Sequence, residues 1–497
     1  MCDDLDTWVI REARLLAGSG PVSYYVPRMS TSIIGPVNEP GLESRIIELG
    51  RPRPAIFFLG VCLLLLSSSC SRKQEVVPQE FKPTNAREAY AYGLRRAGLA
   101  ETALGRDWLA ASDKALESAV EIRPPYEEEF YVDPAAAYRF EARKGQRIGI
   151  GVGVQGGGEG RPFMDLFRVD RPGFRNWTLV ASAGENEKGL EFEARRKAVY
   201  VLRLQPELLR GGRFRVTIKN TASLGFPEAG RDVRAIGGGF GAPREGGRRA
   251  HHGVDIFAPR HTPVVAPMKG FVRFAGRTDV GGRNIWLRNS DRGLSLYFAH
   301  LETIEVEAGT YVEPGRVIGS VGNSGNARTT PPHLHFGVYA TGEGPVDPFD
   351  FVAETDGEPE TITAGLGALG SWVRVKDDDA PLRPAADQSA TGTVSLARHC
   401  AIRVVAAAAD MYRVLLPDGR SGYIAARRVE PAERWLAEER VGSAGLIRAA
   451  PDALAAEIER IGPGQGIEVF GRFGGFELVR TRQGGWGWLG PEPAGPD

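Results

Sequence analysis

Two short clusters of titratable side chains stand out in the 497-residue sequence. The first is His251-His252-Gly253-Val254-Asp255, and the second is His333-Leu334-His335. In extended backbone, residues an even number apart project from the same face. His251 and Asp255 then share a face, with Gly253 leaving room between them. His333 and His335 likewise point into one space, while Leu334 and Phe336 point into a core. Two imidazoles and one carboxylate supply nitrogen and oxygen donors of the kind that suits Zn²⁺, with a fourth tetrahedral position left for water. A centre with that open position serves hydrolysis rather than structure. The sequence holds no His-Glu-x-x-His stretch, which excludes the helical zinc-protease pattern.

Either cluster alone is a common accident of sequence. The text around them is not. Phe240-Gly241-Ala242-Pro243-Arg244 leads to His251-His252-Gly253-Val254-Asp255-Ile256-Phe257-Ala258-Pro259 and then to Thr262-Pro263-Val264-Val265-Ala266. Tyr297-Phe298-Ala299-His300-Leu301 follows. The stretch Val312-Glu313-Pro314-Gly315 through Asn326 comes next, before His333-Leu334-His335-Phe336-Gly337-Val338. In this order the motifs resemble the lysostaphin-like (LytM-like) zinc metallopeptidases that cut the peptides of bacterial peptidoglycan. The resemblance covers about a quarter of the chain.

Carried over residue by residue, the resemblance implies metal ligation by His251, Asp255 and His335. It implies two further active-site histidines that are not ligands, His300 and His333. One takes a proton as general base, and the other steadies the developing oxyanion or protonates the leaving amine. The residues do not say which does which. His252, beside a ligand, would face away from it. His261 occupies a turn where the family usually has glycine, and His399 lies far off in the tail. The chain departs from the family in one respect. Some members place a tyrosine shortly before the first ligand, whereas this chain has none between Tyr200 and Tyr297. Arg244, Arg248 and Arg249 are the donors available in its place.

The elements that must position these residues read as a multidomain, mainly β protein. Residues 84–122 have helical patterning, with Asn85 and Glu88 spaced as a capping box and Gly98 and Gly105 as interruptions, so a short helical hairpin is expected. Residues 124–222 switch to a period of two, as in Ile148, Ile150, Val152 and Val154, and read as a jelly-roll-like β-sandwich. The LytM-like peptidase domain, an antiparallel-β fold by resemblance, spans 235–352, and a linker spans 353–370. The tail repeats itself at a constant offset of 65 residues. Ile402, Val404 and Val414 match Ile467, Val469 and Val479, and Gly422-Tyr423-Ile424 matches Gly487-Trp488-Leu489. Two copies of one small fold are expected, over 371–432 and 440–492. Both resemble bacterial SH3-like β-barrels.

Lys+Arg and Asp+Glu are both 62, so no basic excess exists to displace counterions, which argues against nucleic acid as a partner. The four cysteines, Cys2, Cys62, Cys70 and Cys400, show neither zinc-ribbon nor redox spacing. The apolar run from Ala55 to Leu66, preceded by Arg51 and Arg53, is too short to span a bilayer and fits a signal peptide. It ends in Ser67-Ser68-Ser69-Cys70, so residues 51–70 resemble a lipoprotein signal with Cys70 as the lipidated, membrane-anchoring residue. Residues 1–50 read as a disordered extension or a misplaced start. The whole implies an exported, envelope-held zinc endopeptidase. Its partner is the stem peptide of peptidoglycan, cut between D-alanine and diaminopimelate. The competing readings are a non-catalytic relative that activates a cell-wall amidase and a wall-binding adaptor.

Overall fold

The computed structural model describes residues 82–491 except 133, 156–161, 171–176, 185–186, 355–356 and 388–389. The extension over 1–50, the export segment over 51–70 and Cys70 therefore lie outside the described residues. The described chain is mainly β, with antiparallel sheets and few helices. No described helix is long and apolar enough to cross a membrane.

Helices Ala86–Arg96 and Ala103–Glu117 open it. Asn85 caps the first, its Oδ1 accepting from the Glu88 amide at 2.8 Å, and the Glu88 carboxylate reaches back to the Thr84 amide at 2.9 Å. Gly98 breaks the helix at φ 71°. Gly105, expected to interrupt as well, instead lies inside the second helix. A Cβ there would sit 2.0 Å from the Leu99 carbonyl oxygen, so this glycine permits a close crossing rather than a break.

The described residues from Pro83 onward pack as one unit. A five-stranded sheet runs 120–121, 136–142, 198–206, 162–169, 177–182. A second sheet contains strands 126–132, 212–222, 146–155 and 189–193, and strand 126–132 also pairs with strand 401–408 of the tail. Tyr138, Leu166 and Leu202 of the first sheet share an apolar cluster with Ile148, Phe214 and Val216 of the second. Met411 and Tyr423 of the tail lie in the same cluster. Alternate residues of strand 146–155 are buried because alternate side chains face this core.

The tail repeat appears as two three-stranded antiparallel meanders, 401–408/411–415/421–425 and 466–473/476–480/486–489, in which the matched residues occupy matching strands. Among the described residues neither meander closes into a barrel ring. The first continues into the sheet of strand 126–132, and the second lies in an open six-stranded sheet.

Between these regions a ten-stranded sheet carries the candidate site. Its path runs 236–238, 254–257, 333–340, 294–304, 282–289, 270–278, 311–312. One face buries Ile256, Leu287, Leu296, Phe298, Leu334, Phe336 and Val338. The other face holds the histidines.

Candidate metal centre and active site

Strands Val254–Phe257 and His333–Ala340 are antiparallel neighbours, and the register sets Asp255 directly opposite His335. His333 and His335 share the face away from the core, as their spacing requires, while Leu334 and Phe336 are fully buried on the other. His251 lies just before its strand rather than within it. Two backbone bonds hold it there: His251 N–H donates to the Ala242 carbonyl at 2.9 Å, and Gly241 N–H donates to the His251 carbonyl at 2.8 Å. Gly253 gives the space to turn. A Cβ at 253 would sit 2.9 Å from His335 Cε1 and 2.5 Å from the Phe336 oxygen.

Three ligand-type atoms converge. His251 Nε2 lies 3.0 Å from Asp255 Oδ1 and 2.9 Å from His335 Nδ1, which is itself 3.1 Å from the same carboxylate oxygen. An ion with ligands at about 2.0–2.2 Å sets neighbouring ligand atoms roughly 3.3–3.6 Å apart in tetrahedral geometry, so the triad needs only a small expansion to hold one. The donor set fits as well. His251 Nδ1 faces the Gly239 carbonyl at 2.8 Å, which places its proton there and leaves Nε2 to present a lone pair to the centre. Burial would raise the Asp255 carboxyl, but contacts with His251 and His335 outweigh it and hold this group well below the usual carboxylate range. Burial pushes the His335 imidazole down, favouring its neutral, ligating form.

His300 and His333 flank the triad. Their ring centroids are 5.1 Å apart, and His300 is 6.0 Å from His335 by the same measure. Each has Nδ1 on a backbone carbonyl, His300 on Ser324 at 2.9 Å and His333 on Pro331 at 2.9 Å. Both therefore offer Nε2, and that of His333 stands 4.0 Å from Asp255 Oδ1. Burial pushes the His300 imidazole down to about 4, so it is uncharged through the neutral range.

The aim of His300 depends on a bulge. Simple alternation from buried Phe298 would send residue 300 into the core. The register slips here: Arg283 pairs with Leu301 whereas Ile285 pairs with Phe298, so one residue opposes two. His300 takes φ 64°, turns to the site, and Leu301 drops into the core in its place. The signal was present in the sequence as two apolar residues, Phe298 and Leu301, an odd number apart.

The remaining histidines stay outside the cluster. His252 is exposed, His261 occupies an exposed turn at φ 69°, and His399 lies in the tail. Among the described residues, only His251, Asp255 and His335 form a group able to hold a metal. Sequence reasoning left Arg244 as one of three arginines. The structure separates it from the others: Arg244 Nη2 donates to Asp255 Oδ2 at 2.5 Å, while Arg248 and Arg249 are exposed.

This arrangement defines a class. Residues 249–348 match the model of Peptidase family M23, so the site lies in an M23 peptidase domain with lysostaphin-like homologues. The L-Ala--D-Glu endopeptidase of Bacillus subtilis (strain 168) is 45% identical over 101 residues, covering 19% of this chain and 31% of that protein. The DD-carboxypeptidase/endopeptidase Mpg of Neisseria meningitidis serogroup B is 36% identical over 129 residues, covering 26% of this chain and 28% of that protein. Among solved structures, the catalytic domain of lysostaphin from Staphylococcus simulans has 34% sequence identity, covers 23% of this chain and 89% of that chain, and has a TM-score of 0.22. The matches thus span under a third of these curated relatives.

Proposed function

We propose that the chain is a zinc metalloendopeptidase that hydrolyses the peptide cross-links of peptidoglycan, with residues 235–352 as its catalytic domain. The observation that carries this reading is the convergence of His251 Nε2, Asp255 Oδ1 and His335 Nδ1 to within 3.1 Å of one another. These three would hold the ion. A zinc ion bound there supplies a Lewis acid that polarises the scissile carbonyl and acidifies a water.

The chain's own residues do the rest. His300 and His333 have their Nδ1 protons tied to backbone carbonyls, so their rings are fixed and their Nε2 atoms are ready to exchange a proton with the reacting groups. His300, kept neutral by burial, accepts a proton rather than delivering one. His333, whose Nε2 stands 4.0 Å from Asp255 Oδ1, is placed to steady the developing oxyanion or to face the leaving amine. The buried sheet behind them keeps the rings in register.

The bond we favour is D-alanine to diaminopimelate, supported by the Neisseria relative's name as a DD-carboxypeptidase/endopeptidase. The Bacillus relative, named for the L-Ala–D-Glu bond, supports a second reading. We further infer an exported protein held at the envelope through Cys70, with the tail binding wall material. Digestion of isolated sacculi followed by mass spectrometry tests the reaction. Loss of cross-linked dimers with a matching gain of monomers is expected. Release of peptides lacking L-alanine would move the assignment to the second bond, and release of whole stem peptides would indicate an amidase. Absence of stoichiometric zinc from purified protein would favour the non-catalytic activator.

A further inference from the structure

We infer that Arg244 is the positioning residue for the carboxylate ligand, occupying Asp255 Oδ2 so that Oδ1 alone faces the metal; this rests on the metallopeptidase reading above. The two oxygens of Asp255 have divided tasks. Oδ1 meets His251 Nε2 at 3.0 Å and His335 Nδ1 at 3.1 Å, whereas Oδ2 takes the Arg244 guanidinium at 2.5 Å. A free carboxylate can offer an ion one oxygen or both. A guanidinium fixed on one oxygen removes that choice.

The backbone is built to deliver this contact. Residues 243–244 and 249–250 form a small hairpin, pairing Pro243 with Ala250 and Arg244 with Arg249. Its reversal runs through Gly246 at φ 69° and Gly247 at φ 90°, a conformation that suits glycine. The base of the hairpin is the pair of backbone bonds that holds His251, so one short element presents both a ligand and the residue that orients another ligand. Gly238 completes the fit. Its strand pairs it with Asp255, and a Cβ there would lie 2.8 Å from Asp255 Oδ2 and 3.2 Å from Arg244 Nη2. A side chain at 238 would wedge the ion pair apart.

Two effects of the guanidinium oppose each other. Its charge repels a divalent cation, while its hydrogen bond fixes the ligand. Partners that orient metal ligands are typically worth about 10–100-fold in metal affinity, and the short contact on Oδ2 makes orientation the larger effect here. The test uses the full chain and two metals, with Arg244→Met and Arg244→Lys as variants. Competition with a chromophoric chelator reads zinc affinity, and visible absorption of the cobalt-loaded protein reads coordination number. Arg244→Met should bind zinc about 10–100-fold more weakly. Its cobalt bands should lose intensity as Asp255 becomes free to supply both oxygens, and Arg244→Lys should recover part of each. The melting temperature of the metal-free protein should not move, which separates orientation from misfolding. Unchanged or tighter zinc binding by Arg244→Met, or an unchanged cobalt spectrum, overturns the inference while leaving the metallopeptidase reading intact. Failure of the unmodified protein to take up either metal sinks that reading and the role of Arg244 with it.

Discussion

Charge is buried in two very different ways in this molecule. Where the first tail meander meets strand 126–132, Glu128 is completely buried, and Arg413 meets it with two hydrogen bonds of 2.8 and 3.1 Å. Tyr138 adds a third at 2.7 Å, and Tyr126 and Tyr423 pair nearby at 2.8 Å. Each charge has its opposite within the chain. At the His251–Asp255–His335 triad the chain assembles three electron-donating atoms around one point and places Arg244 on the far carboxylate oxygen, with the same guanidinium nitrogen 3.1 Å from His251 Nδ1 on the ring's outer side. The first cluster is closed on itself and joins two parts of the fold. The second, on the function proposed above, would be completed by a cation. Burial alone therefore marks neither function nor structure; the mark is whether the partner comes from the chain.

Breaking the triad should have the largest effect on chemistry. His335→Ala is expected to lose stoichiometric zinc and to reduce sacculus digestion to background, with the metal-free melting temperature preserved; retained digestion would count against the site. His300→Ala removes no ligand, so zinc content should be unchanged while turnover falls about 10²–10⁴-fold in a dye-release assay. Arg413→Ala should reverse that pattern. It strands Glu128 in the core and should cost about 3–5 kcal/mol in a urea unfolding experiment, while the folded fraction still binds zinc. Replacing both residues together, Glu128→Leu with Arg413→Leu, should cost much less than Arg413→Ala alone. A double variant as damaged as the single one would show that the pair does more than cancel charge.

Glu228 sharpens the contrast because it has neither solution. It is 1% exposed, and neither carboxylate oxygen has a hydrogen-bond partner among the described residues. Burial pushes its carboxyl up to about 8, with Arg231 opposing. The folded state therefore holds a proton that the unfolded chain releases near pH 4.5. Its contribution to stability is complete below that pH and is lost as pH rises toward 8, at about 1.4 kcal/mol per pH unit as an upper bound. Glu228→Gln should flatten this stretch of the stability profile and leave the variant more stable than the parent at pH 9. Parallel profiles for the two proteins would refute the assignment.

Much of the site could be read from residue spacing, because the period of two in a strand is a local property. His333 and His335 had to share a face, and Leu334 and Phe336 had to be buried. What escaped was set by distant pairing. His300 faces the site only because a bulge against strand 282–289 shifts the alternation. Arg244 reaches Asp255 only because the 243–250 hairpin and the side-chain-free Gly238 let the two meet. The 65-residue repeat was visible as matched apolar positions, and those positions do occupy matching strands. Nothing local announced that the first copy would extend another sheet, since the pairing of Glu129 with Ala407 and Phe130 with Ala406 depends on two remote segments meeting. Gly105 misled for a related reason: its lack of a side chain serves an approach by Leu99, which no helix propensity records.

The seam between strand 126–132 and the tail also fixes an order of events during synthesis. Tyr126 and Tyr423 are 297 positions apart, so a ribosome adding about 5–20 residues per second leaves the first without the second for roughly 15–60 s. Through that interval the nascent strand has an unpaired edge, available to any other extended segment. The segment carrying the histidines emerges in the meantime and can complete its own ten-stranded sheet first. Products released after residue 346 but before residue 401 would keep that open edge permanently and should be cleared or aggregate even though every histidine of the site is present.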